Sequence, residues 1–213
     1  MILLCFMLLL HAQQTRGENM LNPAFTAFTK TVIEILNSGT AMWKRIGESQ
    51  ASQTVQEVVS KASDLEEANE KLSFDITGNK IQTIKDLRTR IRSLKDRLAD
   101  LREPLTKFAY EIDSLSLNTS GDLRTAINRM GDRKLMELDE VEAVWTPQDP
   151  ASHAKAVMAL ASATACLKKM QLAAKCLSNT IRNRTRDTDK VCTQESIEAD
   201  SSGCYKSATP NAP

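Results

Sequence analysis

The stretch IRSLKDRLADLREPL, residues 91–105, decides the fold class, because its apolar side chains recur at alternating steps of three and four residues. That period predicts an amphipathic helix. The same spacing runs from Ile84 to Leu115 and would span roughly 48 Å as helix, at about 1.5 Å per residue. Pro104 lies inside it, yet the spacing keeps its phase. We therefore predict one kinked helix, with two abutting helices as the alternative.

The charged positions that flank this apolar seam are all basic between residues 84 and 102. In heptad terms they occupy the e and g positions, and we call them the basic strip: Arg88, Arg90, Lys95, Arg97 and Arg102. Two copies of the seam would bring like charges together in either orientation. The sequence therefore predicts a monomer through the 84–115 seam.

Acidic segments elsewhere in the chain could neutralise the basic strip from within. The candidates on two neighbouring predicted helices are Asp64, Glu66, Glu67 and Glu70, and Glu137, Asp139, Glu140 and Glu142. Packing the seam between them would bury its leucines and pair its flanks. We expect no nucleic acid partner, because no aromatic side chains alternate with the arginines and because we also predict secretion. An anionic external surface, such as a glycosaminoglycan or lipid headgroups, is the alternative partner.

Other segments show the same helical period. We predict one helix from Asn22-Pro23 to Ile46, a second over 55–75, a third over 123–145, and an alanine-rich helix after Asp149-Pro150. Aromatic residues are only 4% of the chain, with 7 glycines and 6 prolines, too few turn residues for many short strands. The predicted fold is all-α, an elongated bundle of about four to five long amphipathic helices with a disulfide-stapled C-terminal helical hairpin.

The N-terminus reads MILLCFMLLLHAQQTRG, with an apolar run over 2–10. This run is too short to cross a bilayer, which needs about 20 helical residues, but it fits a secretory signal peptide. We predict cleavage after 12 or after 17, although the usual basic residues before the run are missing. The alternative is a short buried helix. The polar C-terminus predicts no lipid anchor and no transmembrane anchor, so the protein is expected to be secreted.

Four of the five cysteines would remain after cleavage, and an even number in a secreted chain predicts two disulfides. Cys166 and Cys176 lie on one predicted helix about 15 Å apart, too far to bond together. If the chain turns near 183–187 and runs back antiparallel, the nested pairs Cys176–Cys192 and Cys166–Cys204 face each other. The crossed pairing stays open. A metal site is less favoured, because no two cysteines have metal-ligand spacing.

Two N-glycosylation sequons accompany these features, Asn118-Thr119-Ser120 and Asn183-Arg184-Thr185. Both fall where the helical pattern stops, so both predict exposed acceptors. The resulting division of the chain is a signal peptide over 1–17, an elongated bundle over 18–147, an alanine-rich helix with its disulfide-linked return segment over 148–205, and a flexible tail over 206–213.

The sequence offers no catalytic constellation. His153 is the one histidine left after predicted cleavage, and no nucleophile, phosphate-loop, zinc or calcium motif accompanies it. A site built from scattered carboxylates is the least favoured alternative. We therefore predict no cofactor, no metal and no enzymatic activity. The preferred function is a secreted protein that binds another macromolecule, and the alternative is a secreted carrier of lipid or another small apolar ligand held between amphipathic helices.

Overall fold

The computed structural model describes residues 22–130 and 136–183. Within these ranges the chain is helical, without strands, which confirms the all-α prediction. Seven helices follow one another: α1 (Asn22–Asn37), α2 (Thr40–Gly47), α3 (Ala51–Thr77), α4 (Ile84–Asp113), α5 (Ser120–Met130), α6 (Met136–Val144) and α7 (Pro150–Asn183). The predicted signal peptide, Cys192, Cys204 and the tail lie outside the described residues.

Helix α4 carries the seam that the sequence predicted. It continues without interruption through Pro104, so the single-helix prediction is confirmed. Thr83 caps it, because the Thr83 hydroxyl oxygen accepts a hydrogen bond from the backbone N–H of Asp86 at 3.1 Å. The buried seam residues are Leu87, Ile91, Leu94, Leu98, Leu101, Leu105, Phe108 and Ile112.

The predicted helix from Asn22 to Ile46 is wrong in one respect, because it is divided into α1 and α2. Gly39 lies between them with φ +86°, a left-handed conformation that favours glycine. The indole N–H of Trp43 then donates a hydrogen bond to the carbonyl oxygen of Ile35 at 3.1 Å. Both Gly39 and Trp43 keep the apolar spacing, so the periodicity conceals the break.

The described residues form seven helices, because three short elements accompany four long helices where about four to five long helices were predicted. Helices α2, α5 and α6 have 8, 11 and 9 residues. The third predicted helix, over 123–145, corresponds to α5 and α6, and residues 131–135 between them are not described. The long helices are α1, α3, α4 and α7, with 16, 27, 30 and 34 residues.

Helix α7 packs against α1, α2, α3 and α6, and its interface with α3 is the most extensive in the bundle. It begins as predicted, because the Asp149 carboxylate accepts a hydrogen bond from the backbone N–H of Ala151 at 3.0 Å. Alanines that allow close packing are buried along it. At the opposite side of the core, the rings of Phe28 and Phe108 join α1 to α4, with centroids 5.2 Å apart.

Candidate interaction surface

Two residues of the basic strip pair with acidic residues of α6. The Arg88 Nε atom lies 2.6 Å from Glu142 Oε1, and the Lys95 Nζ atom lies 2.5 Å from Asp139 Oδ1. Both pairs join α4 to α6, on the flank where the sequence predicted acidic neighbours. Such partly exposed pairs contribute about 0.2 to 1 kcal/mol each. These two cations are therefore engaged within the bundle.

Arg90 is engaged on the other flank of α4. One of its terminal nitrogens lies 2.5 Å from Asp75 Oδ2, and its Nε atom lies 3.5 Å from Asp86 Oδ1. Asp75 is a largely buried residue near the end of α3, and its other oxygen lies 3.7 Å from Lys80 Nζ. Asp75 therefore links the end of α3 to the turn and to α4.

The acidic residues predicted on α3 do not pair with the basic strip. Glu66 and Glu70 both approach Lys168 of α7, with Nζ to oxygen distances of 3.5 and 2.6 Å. Asp64 and Glu67 are exposed and make no ion pair among the described residues. Helix α3 has α4 on one side and α7 on the other, and a step of one helical position decides which neighbour a glutamate faces.

The remaining members of the basic strip are Arg97 and Arg102, and neither forms an ion pair in the part of the chain that the structure describes. Arg97 is exposed and Arg102 is half-buried. The Arg102 Nε atom is buried and makes no hydrogen bond there. The basic strip is therefore largely occupied by internal pairs and does not form one continuous exposed surface.

A different set of exposed cations lies in the last two turns of α3 and the first four turns of α4. We call it the hairpin patch, and it consists of Lys71, Lys85, Arg92 and Arg97. No carboxylate of the described residues lies within ion-pair distance of any of the four. Only Arg97 was in the predicted strip. The prediction considered only the charged positions beside the apolar seam, so it missed Lys71, Lys85 and Arg92. Counting the charges along each helix would have found them.

Charge is distributed unevenly along the α3–α4 hairpin. Residues 71–97, around the turn, carry eight basic and three acidic side chains. The remainder of the two helices, 51–70 and 98–113, carries three basic and nine acidic side chains. On the α6 side of α4, Glu142 pairs with Arg88 and Asp139 pairs with Lys95, while Arg92 lies between these two pairs on the same face of α4. The turn end of the hairpin is therefore a positively charged surface with cations free to meet an external anion.

The first predicted glycosylation site lies in the turn between α4 and α5. Asn118 is exposed, while the Ser120 hydroxyl is buried and donates to the carbonyl oxygen of Leu117 at 2.9 Å. Glu34 of α1 holds this turn. Its carboxylate accepts hydrogen bonds from the backbone N–H of Asn118 at 2.8 Å and of Thr119 at 3.1 Å, and from the Thr119 hydroxyl at 2.5 Å.

These hydrogen bonds affect the ionisation of Glu34. Partial burial acts to raise the pKa of Glu34, but the hydrogen bonds from the Thr119 hydroxyl and the two backbone N–H groups together outweigh it, so the pKa is lowered from its ordinary value. The second predicted acceptor, Asn183, is exposed at the last residue of α7. Both asparagines are thus accessible, and occupancy by glycan stays a prediction.

A small apolar cavity lies among α1, α3, α4, α6 and α7. It has a volume of about 20 Å³, and its lining includes Phe25, Leu98 and Leu160. Asn69 is buried beside it, and the side-chain amide donates hydrogen bonds to the Leu160 carbonyl oxygen at 2.9 Å and the Thr164 hydroxyl at 2.5 Å. A space of this size is comparable to one water molecule.

His153 packs against the loop that precedes α7. Its ring stacks on Trp145, with centroids 5.6 Å apart and an angle of 8° between the planes. Its Nε2 atom lies 3.2 Å from the carbonyl oxygen of Thr146. The His153 ring therefore connects the start of α7 to the loop that follows α6. Among the described residues, no group of three or more histidine, cysteine, aspartate or glutamate side chains could hold a metal ion.

The two cysteines of α7, Cys166 and Cys176, are both buried. Their predicted partners lie outside the described residues, so the pairings Cys166–Cys204 and Cys176–Cys192 stay predictions. In the described ranges, no helix is both long enough and apolar enough to cross a membrane.

The fold and surface define this chain as an all-α protein with a charge-polarised helical hairpin. Comparison with family models, with curated proteins and with solved structures found no match.

Proposed function

We propose that this chain is a secreted, non-enzymatic helical protein that acts by binding an anionic macromolecular surface, and that the hairpin patch is its contact region. The observation that carries the proposal is the set of four exposed cations, Lys71, Lys85, Arg92 and Arg97, without an ion pair in the described chain. Clustered cations without carboxylate partners favour association with an anionic partner and accelerate its encounter.

Three sequence features support secretion: the N-terminal apolar run, the two sequons and the even number of late cysteines. Disulfides Cys176–Cys192 and Cys166–Cys204 would close the C-terminal segment onto α7. The exposure of Asn118 and Asn183 supports glycosylation after export. Expression of the full chain in secretory cells tests this part. The proposal expects release into the medium, with a mature N-terminus after residue 12 or 17, and retention of an unprocessed chain in the cells would contradict it.

The alternative function, a carrier of lipid or another small apolar ligand, finds less support. Ligand pockets usually have volumes of about 300 to 1,000 Å³ and mostly apolar linings. The apolar cavity beside Asn69 has about 20 Å³. A larger, open space of about 320 Å³ lies between α3 and α7, and most of the side chains that line it are polar: Gln56, Lys175, Ser178 and Asn179. To hold a ligand in the apolar cavity, a carrier would therefore have to move the helices that line it apart. Mass spectrometry of a lipid extract from the purified protein tests this alternative, and a stoichiometric lipid would favour it over surface binding.

Retention on immobilised heparin, measured against salt, tests whether the hairpin patch binds anions. The test variant carries Lys71→Gln, Lys85→Gln, Arg92→Gln and Arg97→Gln. The control variant carries Lys30→Gln, Arg45→Gln, Arg129→Gln and Lys155→Gln, which removes the same charge from exposed positions outside the patch. We expect only the test variant to elute at clearly lower salt. Equal elution of the two variants would contradict the proposal, because the binding would then follow net charge alone.

A further inference from the structure

The turn end of the α3–α4 hairpin exposes a large aromatic side chain among its cations. Phe74 lies one turn from the end of α3 and is 64% exposed. The Lys80 Nζ atom lies 4.2 Å from the centroid of its ring. Lys71 lies one helical turn before Phe74 on the same outer side of α3. An exposed phenylalanine between two lysines has apolar surface that ion pairs do not cover.

A second large apolar side chain is exposed at the same level of the bundle. Asn69 contacts Leu160 and Thr164 across the antiparallel pair of α3 and α7. Phe74 lies five residues beyond Asn69 on α3, and Met158 lies two residues before Leu160 and six before Thr164 on α7, so the two side chains lie at about the same height. Met158 is 73% exposed. The turn end therefore combines two exposed apolar side chains with several cations.

We propose that this end of the bundle docks on a bilayer that contains anionic lipids, with Phe74 entering the interface and the hairpin patch contacting the headgroups. The inference rests on the proposed function and names its partner. Anionic headgroups attract basic side chains near the surface, while an aromatic side chain gains by leaving water at the same depth. A sulfated polysaccharide would satisfy the charges but offers no apolar phase for Phe74 and Met158 to enter.

Tyr110 provides a control for the proposed contact of Phe74 with the membrane. Tyr110 of α4 is 61% exposed, close to Phe74 in exposure. It lies at the opposite end of the hairpin, because Thr54 and Glu111 are hydrogen-bonded there, whereas Asp75 and Arg90 pair near the turn. The sequence around Tyr110 is mostly acidic. An anionic membrane should therefore contact Phe74 and not Tyr110.

Co-sedimentation of the full protein with vesicles tests the docking. We use phosphatidylcholine vesicles with or without phosphatidylserine. We expect binding only when phosphatidylserine is present. Phe74→Ala should weaken it about tenfold, since burying an aromatic side chain in an apolar phase is of that order, and each neutralised cation of the hairpin patch should weaken it about fivefold. Tyr110→Ala should leave the affinity unchanged.

At saturating vesicle concentration, fluorescence reports the environment of the contact itself. Trp43 and Trp145 are both buried, so a tryptophan introduced by Phe74→Trp would be an exposed reporter. Its emission should shift to the blue on addition of phosphatidylserine vesicles, and the matched Tyr110→Trp variant should show no shift. Binding to heparin without binding to these vesicles would overturn the membrane inference and leave the proposed anion binding intact. Vesicle binding without a blue shift at position 74 would also overturn it.

Discussion

Asn69 of α3 donates its side-chain amide to the backbone carbonyl oxygen of Leu160 of α7 at 2.9 Å, inside the most extensive interface of the bundle. The same amide reaches the Thr164 hydroxyl, which in turn donates to Leu160. A polar group this buried is stable only when it is hydrogen-bonded. The pair therefore fixes the register of α3 against α7, and that register places Phe74 and Met158 at one level.

Replacing Asn69 by alanine should destabilise the fold. The change removes two hydrogen bonds and leaves a gap beside an apolar cavity, so we expect a loss of about 1 to 3 kcal/mol in the free energy of unfolding. Urea denaturation followed by circular dichroism measures it. Asn179→Ala is the control, because Asn179 lies on α7, is only half-buried and makes no hydrogen bond through its side chain among the described residues. A comparable loss in both variants would argue against the role assigned to Asn69.

Glu34→Gln should lower stability in a pH-dependent manner. The folded pKa of Glu34 is lowered from its ordinary value, so its ionised form stabilises the fold above the unfolded pKa. That contribution is lost as pH falls through the folded pKa. We expect a loss of about 1 kcal/mol near neutral pH, after allowance for solvent screening, and a smaller difference below pH of about 4.

Urea denaturation at both pH values measures the effect of Glu34→Gln. Glu67→Gln serves as the reference, because Glu67 is exposed and has no ion pair in the described ranges. A difference between Glu34→Gln and the natural protein that stays constant from neutral to acidic pH would show that the carboxylate charge is not what holds the 118–119 turn.

Two glycine-to-alanine substitutions should change the free energy of unfolding in opposite directions. Gly39 has φ +86° and no atom within 4 Å of the position that a Cβ would occupy. Gly39→Ala should therefore cost about 1 kcal/mol through backbone strain alone. Gly121 also has open space around it but lies inside α5, so Gly121→Ala should stabilise by up to about 1 kcal/mol. Thermal unfolding of both variants compares them, and stabilisation by Gly39→Ala would contradict the left-handed break between α1 and α2.

If the protein is exported as proposed, peptide mapping without reduction should yield Cys176 linked to Cys192 and Cys166 linked to Cys204. Ten residues of continuous helix separate Cys166 from Cys176, so a bond between them is excluded by a distance of about 15 Å. A peptide that joins Cys166 to Cys192 would contradict the nested pairing and show that the disulfides are crossed.

Much of this fold follows from sequence periodicity. The seam of α4 preserves its phase across Pro104, and Asp149-Pro150 begins α7 where a cap and a proline predict a helix. The division at Gly39 was not predictable from spacing, since both sides of the break share one phase. The salt bridges of Glu66 and Glu70 with Lys168 were missed because charge patterns do not specify which of two neighbouring helices a glutamate faces.

The candidate surface was predictable only in part. The basic flank of α4 was visible in the sequence, but three of its five members are held by Asp75, Asp139 and Glu142. Which cations remain available depends on the tertiary arrangement of α3, α4 and α6. Exposure of Phe74 likewise depends on that arrangement, because helical spacing alone does not show that no neighbour covers it.

Lysine footprinting of the unmodified protein tests the central claim most directly. The natural protein is acylated with an amine reagent in the presence and absence of heparin or phosphatidylserine vesicles, and each lysine is quantified by mass spectrometry. We expect Lys71, Lys80 and Lys85, around the α3–α4 turn, to become several-fold less reactive, while the exposed Lys30 and Lys155 keep their reactivity. Equal protection of all five lysines, or protection of Lys30 and Lys155 alone, would contradict binding through the hairpin patch.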